Sequence, residues 1–272
     1  MRAAGCVDPI CVRALSVMAW TSVNWPRRAA VAFLAASVLG NVALALALHD
    51  SFVKLQFLRI FPLGHANESR PAATPAGPGR SMTFWGDSRS VMWDKEDLQT
   101  KWRIFDEAHG GTTSSQLRLL LLTLPPNRTD VSVVQIGIND LHPLGALGAH
   151  KAELLKQLRL NIVAIRDALL ERSDLVVFTT IFPPGPVPLL RRAAWDPLTL
   201  QYVREFNEVV RDATDGRRVL LLDAHTILSG ADSLLQREYA DLDFFLHVNR
   251  QGYAALNAAL MQVLERQPFP SK

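Results

Sequence analysis

The chain has 272 residues, and 49% of them are hydrophobic, which is enough to bury the core of one domain of ordinary size and leave an additional segment. Its formal charge of +3 is small against 29 basic and 26 acidic residues, and no long Lys/Arg block indicates a surface that binds nucleic acid. Both cysteines, Cys6 and Cys11, lie in the first dozen residues, so we expect no thiol chemistry in the folded region.

The first predicted element is a membrane-spanning helix. From Ala29 to Leu48 the chain carries no charged residue, and this length is about what is needed to cross a hydrocarbon core of roughly 30 Å. Arg27 and Arg28 precede the run and Asp50 follows it, and a basic flank of this kind predicts a cytoplasmic N-terminus. Residues 1–28 are therefore predicted to be cytoplasmic, and the rest of the chain to be anchored by residues 29–48 and to face the periplasm or the cell exterior.

Two other interpretations of this run stay open. The small-residue pattern at residues 43–47 offers a cleavage site for a signal peptide, and the mature protein would then be secreted. A buried helix of a soluble domain is the second alternative, although an apolar helix directly after an arginine pair is uncommon there. Met18 is an alternative start that leaves the apolar run unchanged.

Residues 49–80 are predicted to connect this run to a folded domain. The stretch Asn67–Arg80 is rich in proline, alanine and glycine and has almost no large apolar side chains, which is typical of a linker. Residues 51–63 mix apolar and basic side chains, and the sequence does not decide whether they lie along a membrane surface or pack onto the domain. We expect the domain to occupy residues 81–268.

Within residues 81–268, short runs of β-branched and aromatic residues alternate with longer segments of helical period. This alternation predicts an α/β fold, with a parallel sheet of about five strands covered by helices on both faces. The predicted strands are Met82–Trp85, Trp102–Asp106, Val131–Ile136, Leu175–Thr180 and Val219–Leu222, and the predicted helices are Ser114–Thr123, His150–Glu171, Leu198–Ala213 and Arg250–Arg266. Ligands bind such sheets at the carboxyl ends of the strands, so the residues after each strand are candidate site residues.

Ser88 follows the first predicted strand, in the run Gly86-Asp87-Ser88. A serine at a strand-to-helix turn is held rigidly near the exposed amides of a helix, where a nucleophile benefits from them. The tripeptide alone is more typical of an ordinary helix cap.

Polar loops also follow the second and third predicted strands. Gly110 and Gly111 precede a run of Thr and Ser, and glycine lets the backbone approach a ligand closely and point an amide at it. In the block Gly137-Ile138-Asn139-Asp140, Asn139 would direct its side-chain amide toward a developing oxyanion. Either loop, taken singly, is compatible with a purely structural turn.

His247 precedes the last predicted helix, which Asn249 would cap. Its imidazole would therefore sit on a fixed loop at the edge of the sheet. A lone histidine at such a position is more often structural than catalytic, but four polar blocks in this order are more informative than any one of them.

Together these blocks resemble the four motif blocks of the SGNH hydrolases, the GDSL-type serine esterases and lipases. The resemblance spans residues 84–260 and rests on Gly86-Asp87-Ser88, Gly110-Gly111, Gly137-x-Asn139-Asp140 and His247-x-Asn249-x-x-Gly252-Tyr253. It implies a three-layer, flavodoxin-like α/β/α domain. It also implies that Ser88 is the nucleophile, that His247 is its general base, and that an oxyanion hole is formed by the amides of Ser88 and Gly111 and the side chain of Asn139.

The chain departs from the family at the third member of the triad. The family places an aspartate three residues before the histidine, where this chain has Phe244, and Asp243 is one residue too early. The leading hypothesis is that an extra loop residue brings Asp243 to the histidine. The alternative is a Ser88–His247 dyad oriented by a backbone carbonyl, with Asp241 and Asp243 as solvated charges.

The resemblance therefore implies an esterase that removes O-acyl groups from an ester, such as an acylated envelope glycan or lipid. Two rivals remain: an O-acyltransferase that uses the same residues, and a catalytically silent binding domain. No cluster has the ligand spacing of a metal site, and the glycine-rich loops lack nucleotide-binding patterns, so we expect no cofactor. Asp223 and His225 follow the fifth strand and are expected to be structural.

Overall fold

The computed structural model describes residues 27–60, 62, 79–124, 127–145, 147–189, 192, 195–242 and 245–267. Both cysteines, nearly all of the predicted cytoplasmic segment, most of the predicted linker and Asp243 lie outside these residues. By its internal contacts the chain divides into two units, Met1–Arg59 and Ile60–Lys272.

A single long helix, α1 (Arg27–Ile60), accounts for the described part of the first unit. Its span Ala29–Leu55 has a mean hydropathy of 2.2 and no buried residue, so by length and composition it is able to cross a membrane. A signal sequence near an N-terminus has the same properties. The helix continues beyond the predicted run, through a charged stretch where Lys54 pairs with Asp50 one turn away.

The second unit is built on a parallel sheet of five strands. The strands are β1 (Arg80–Gly86), β2 (Trp102–Asp106), β3 (Thr129–Gln135), β4 (Ser173–Thr179) and β5 (Val219–Leu222). Their order is β2-β1-β3-β4-β5, and every neighbouring pair is parallel. This is the flavodoxin-like order, in which the chain changes direction of winding next to β1. The carboxyl ends of β1 and β3 therefore lie side by side.

Helices cover both faces of the sheet. The described helices of this unit are α2 (Ser88–Val91), α3 (Glu96–Gln99), α4 (Ser114–Thr123), α5 (Ile138–Leu141), α6 (Lys151–Leu170), α7 (Thr199–Asp212), α8 (Ala224–Leu228) and α9 (Arg250–Glu265). Short 3-10 turns lie at His142–Gly145, Gly148–His150 and Arg237–Tyr239.

The core consists of two apolar clusters, one on each face of the sheet. On β1, Trp85 belongs to the cluster shared with α4, α6 and α7, whereas Met82 and Phe84 belong to the cluster shared with α9. This division follows from the alternation of side chains along a strand, which sends neighbouring residues to opposite faces. The predicted three-layer α/β/α fold is confirmed.

Candidate active site

The turn after β1 places Ser88 at the start of α2. Gly86 has φ +139°, and a Cβ atom there would lie 1.8 Å from the main-chain oxygen of Gln135, so only glycine fits between β1 and β3. Asp87 then caps α2, its Oδ1 accepting from the amide of Arg89 at 2.9 Å. Ser88 follows as the first helical residue, with a partly exposed side chain.

Ser88 and His247 are in contact although 159 positions separate them in the chain. The distance between Ser88 Oγ and His247 Nε2 is 3.3 Å. The histidine loop is fixed by a bridge between Ala240 and Val248 and by a 3.0 Å hydrogen bond from the amide of Asp241 to the carbonyl of His247. Asn249 then caps α9 through the amide of Gly252. The structure thus brings together the two residues that the sequence predicts as nucleophile and base.

Arg89 connects the turn that carries Ser88 to the loop that carries His247. Its side chain is fully buried, with Nε donating to the carbonyl of Leu246 at 2.8 Å and Nη1 to the carbonyl of Phe182 at 3.0 Å. Arg89 is not among the site residues that the sequence predicts. A signal was present, since a cation in the first turn of a helix opposes the helix dipole and so requires another reason for its place.

Helix α9 supports the segment that carries Ser88. Tyr253 donates from its hydroxyl to the carbonyl of Arg89 at 2.8 Å, and Trp93 donates from its indole to Asn257 Oδ1 at 2.7 Å. Lys95, which is nearly buried, donates to the carbonyls of Ser90 and Trp93. The serine segment is therefore held by both its own loop and the last helix.

The loop after β2 runs beside the serine turn. The amide of His109 donates to the carbonyl of Gly86 at 3.0 Å, so the loop stays paired with β1 beyond the end of the strand. Gly111 follows with φ +77° and an open environment. Thr113 and Gln116 then form a capping box at the start of α4. Gly110 has no positive φ, so only the second glycine is required by the backbone.

The loop after β3 joins the glycine loop. Gly137 has φ +120°, which turns the chain out of the strand. Asn139 donates from Nδ2 to the carbonyl of Thr112 at 3.0 Å, and Asp140 accepts from the amide and the hydroxyl of Ser114 at 2.9 and 2.7 Å. The predicted oxyanion residues Asn139 and Gly111 are thereby held on adjoining loops.

Two acidic groups near Ser88 have perturbed pKa values. Burial raises the pKa of Asp87 from 3.8 to about 7, against the opposing effects of the Arg89 guanidinium and amide. Desolvation raises the pKa of Asp140 to about 6, while its hydrogen bonds from Ser114 act in the opposite direction. Such shifts cluster at functional sites, although structural networks produce them as well.

The acid of the predicted triad is not among these groups. Asp243 lies outside the described residues. The main-chain amide of Asp241 donates to the main-chain carbonyl of His247, and its carboxylate Oδ1 accepts from the amide of Leu242 at 2.8 Å. The triad through Asp243 therefore stays a prediction, with the Ser88–His247 dyad as its alternative.

A chain of aromatic contacts joins the loop after β3 to the loop that carries His247. The ring of His142, which follows α5, lies 5.2 Å from that of Trp195, and Trp195 lies edge-on to Phe245 at 4.8 Å. Phe245 stands two residues before His247 and is buried. Its carbonyl also accepts at 2.6 Å from the amide of Gly185, which lies in the proline-rich loop after β4, residues 183–188.

Asp223 and His225 lie in a different set of contacts. Asp223 accepts from the hydroxyl of Thr180 at 3.1 Å and from Arg211 Nη2 at 2.9 Å, and these bonds connect the ends of β4 and β5 to α7. His225 Nδ1 lies 3.1 Å from Ser229 Oγ. Burial lowers the pKa of His225.

A cavity of about 870 Å³ lies between the loop after β4 and the segment after α8, and it is lined by residues such as Pro186, Leu234 and Ala240. Of the predicted site residues that the structure describes, none lines this cavity. Within the described ranges, no group of three or more His, Cys, Asp and Glu side chains is arranged to hold a metal ion.

The family model described as GDSL-like Lipase/Acylhydrolase matches residues 75–255, more than half of the chain. No curated protein matches the chain in sequence.

Solved structures share the fold at low sequence identity. A protein from Streptococcus pneumonia, provisionally assigned as a platelet activating factor, is 17% identical with a TM-score of 0.59, and the match covers 82% of this chain and 99% of that one. A GDSL-like lipase from Bacteroides thetaiotaomicron is 18% identical with a TM-score of 0.54, covering 74% of this chain and 96% of that one. An acetylxylan esterase from Geobacillus stearothermophilus is 16% identical with a TM-score of 0.52, covering 73% and 100%.

Proposed function

Because the chain belongs to the GDSL-like lipase/acylhydrolase family of hydrolases, also called SGNH hydrolases, we propose that it is a serine esterase that hydrolyses carboxylic esters. The observation that carries this proposal is the 3.3 Å separation of Ser88 Oγ and His247 Nε2 at the carboxyl end of the sheet. A hydroxyl within reach of an imidazole is the arrangement that activates a serine nucleophile.

In the proposed reaction, Ser88 Oγ attacks the ester carbonyl carbon while its proton passes to His247 Nε2. The tetrahedral intermediate then collapses, the bond to the leaving oxygen breaks, and His247 returns the proton to that alkoxide. Water repeats both steps on the acyl-enzyme and releases the acid. His247 must therefore be neutral at the start, with its proton on Nδ1.

The oxyanion would be held by the amides of Ser88 and Gly111 and by the side chain of Asn139. A carboxamide nitrogen carries two hydrogens, and Asn139 uses one of them on the carbonyl of Thr112. The second is available for the oxyanion without any rearrangement of the first. Asp243 remains our leading choice to orient His247, because it is the acidic residue nearest to the family position.

The proposed substrates are O-acyl groups of envelope polysaccharide or lipid. These substrates require a domain outside the cytoplasm. Helix α1 supports that location, since its apolar span is able to anchor the chain and the preceding arginines favour a cytoplasmic N-terminus. The acetylxylan esterase that shares this fold acts on an acylated glycan, as its name states. Fusing a reporter enzyme that is active only outside the cytoplasm to the C-terminus tests the location, and an inactive fusion would contradict it.

Labelling with a fluorophosphonate probe tests the proposed chemistry. We expect an adduct at Ser88 that is lost in Ser88→Ala and retained in Ser90→Ala. Ser90 is a matched control because it lies in the same short helix, and its buried hydroxyl has no hydrogen-bond partner among the described residues. A folded wild-type protein without an adduct would refute the esterase and leave the silent binding domain.

Product analysis separates hydrolysis from acyl transfer. An acyl ester incubated with and without a sugar acceptor should yield the free acid in both cases if the protein is an esterase. Acylated sugar as the main product would identify the O-acyltransferase instead, because that reaction depends on excluding water from the acyl-enzyme.

A further inference from the structure

Two buried polar side chains next to Ser88 have side-chain atoms without a hydrogen-bond partner among the described residues. Asp87 and Gln135 are both fully buried, and within the described part of the chain Asp87 Oδ2 and both amide atoms of Gln135 have no partner. Their backbones are adjacent, since the amide of Asp87 donates to the carbonyl of Gln135 at 3.2 Å. Unsatisfied buried groups are costly, so this pair calls for a physical reason.

If Asp87 is protonated, its carboxyl group is a donor that matches an acceptor on Gln135. A protonated carboxyl provides an O–H donor, and Gln135 Oε1 is an acceptor without a partner in the described residues. An ionised carboxylate has no proton to donate to that oxygen. It can accept from Gln135 Nε2, which lowers the pKa of Asp87, but burying its charge costs more than burying the neutral acid.

The charged and polar groups that act on Asp87 come from α2, α5, β3 and α9. Arg89, on the same helix, favours the ionised form, whereas Asp140 of α5 disfavours it. The amide of Gln135 on β3 also lowers the pKa of Asp87. Tyr253 of α9 interacts electrostatically with it, and burial raises the pKa of that phenol, so it stays neutral. Burial outweighs the favourable groups and raises the pKa of Asp87 to about 7.

We propose that Asp87 serves the active site as a positioning residue in its uncharged, protonated form, and that its ionisation weakens the oxyanion site. This inference rests on the proposed esterase chemistry of Ser88. Asp87 directly precedes the amide that would bind the oxyanion. A negative charge on Asp87 would therefore oppose the charge that develops on the substrate, in surroundings that screen it poorly.

The test is the pH dependence of the fluorophosphonate labelling rate in the full chain. Asp87→Asn preserves an oxygen that accepts from the amide of Arg89 and a donor toward Gln135, but it has no proton to lose. The ratio of the variant rate to the wild-type rate cancels any pH dependence that the two proteins share. We expect this ratio to rise at least about tenfold between about pH 6 and about pH 9.

Asp94→Asn is the matched control. Asp94 makes the same turn, with Oδ1 accepting from the amide two residues later at 3.1 Å, but it is partly exposed and paired with Arg250. Its ratio to wild type should stay constant over the same pH range. A constant ratio for Asp87→Asn as well would overturn the proposal.

Infrared spectroscopy provides a readout that does not depend on turnover. At about pH 6 the wild-type protein should show the carbonyl stretch of a protonated carboxylic acid that is missing in Asp87→Asn and decreases through about pH 7. Absence of that band would overturn the proposal even if labelling proceeds. A wild-type protein that is not labelled at any pH would refute the esterase itself, whereas the infrared difference would still report the protonation of Asp87.

Discussion

Arg89 and Leu246 are joined by a hydrogen bond of 2.8 Å from the guanidinium Nε to the main-chain carbonyl, and each of them adjoins one member of the Ser88–His247 pair. Arg89 follows Ser88, and Leu246 precedes His247. The second donor, Nη1, bonds the carbonyl of Phe182 beyond the end of β4. Three separate segments therefore meet at one buried cation.

Arg89→Met should damage both stability and reactivity. Methionine fills much of the volume but leaves two buried carbonyls without their donors, and hydrogen bonds to a charged group contribute about 1.5–3 kcal/mol each. We expect the free energy of unfolding in urea to fall by about 3 kcal/mol or more, and the fluorophosphonate labelling rate to fall at least about tenfold. The exposed Arg103→Met is the control, and equal behaviour of the two variants would contradict this role.

Gly111→Ala should impair turnover, whereas Gly110→Ala should not. A Cβ atom at either position would meet no heavy atom within 4 Å, so space does not distinguish them. Gly111 has φ +77°, which alanine adopts only at a cost of about 1–2 kcal/mol or by shifting the loop that carries the proposed oxyanion amide. Esterase assays of both variants decide this, and equally active variants would remove Gly111 from the oxyanion site.

Asn139→Ala should lower kcat while the protein stays folded. Loss of one oxyanion donor typically costs about 2.7–4 kcal/mol of transition-state stabilisation, or about 10²–10³-fold in rate. The variant also loses one partly exposed hydrogen bond to Thr112, so its unfolding midpoint should change little. A full rate in the folded variant would exclude this assignment, and a large loss of stability would indicate a structural role instead.

Asp243→Ala decides between triad and dyad. If Asp243 orients His247, turnover should fall by about two to four orders of magnitude. Asp241→Ala is the matched control, because Asp241 holds the loop mainly through its main-chain amide. Near-normal turnover of Asp243→Ala would remove it from the site.

Stability should depend on pH through Asp87. Its pKa is raised from 3.8 to about 7 by burial, so the native state binds its proton more tightly than the unfolded state. The resulting stabilisation is fully present below about pH 4 and is lost as the pH rises to about 7, a change on the order of 4 kcal/mol for a shift of about three units. Asp87→Asn has no such proton, so its unfolding free energy should rise relative to wild type between about pH 4 and about pH 8. Urea titrations across this range measure the difference, and a constant difference would contradict the shift.

Local signals allowed much of the fold to be predicted from sequence. β2, α4 and β5 have the predicted bounds, because polar turns or caps delimit each of them, as the capping box of Thr113 and Gln116 does for α4. β4 begins two residues earlier than predicted, at Ser173. That polar residue is buried by hydrogen bonding across the sheet to Ser132, which a periodicity analysis cannot detect.

The proximity of Ser88 and His247 could be predicted from residue type and motif order, whereas their catalytic roles stay a prediction. The site was not predictable where a contact depends on the register of distant segments. The burial of Arg89 requires knowing that β4 ends beside the histidine loop, and the pairing of Asp87 with Gln135 requires knowing that β1 and β3 are neighbours. Sequence order alone does not give that adjacency.

The bonds from α9 to the segment that carries Ser88 can form only after α9 has been synthesised. Ser88 is translated early, but Tyr253 and Asn257, which hold Arg89 and Trp93, are translated more than 160 positions later. A growing chain that has not yet reached these residues carries Ser88 without these contacts. If Ser88 is the nucleophile that we propose, the nascent chain should remain unreactive until Tyr253 and Asn257 have been synthesised.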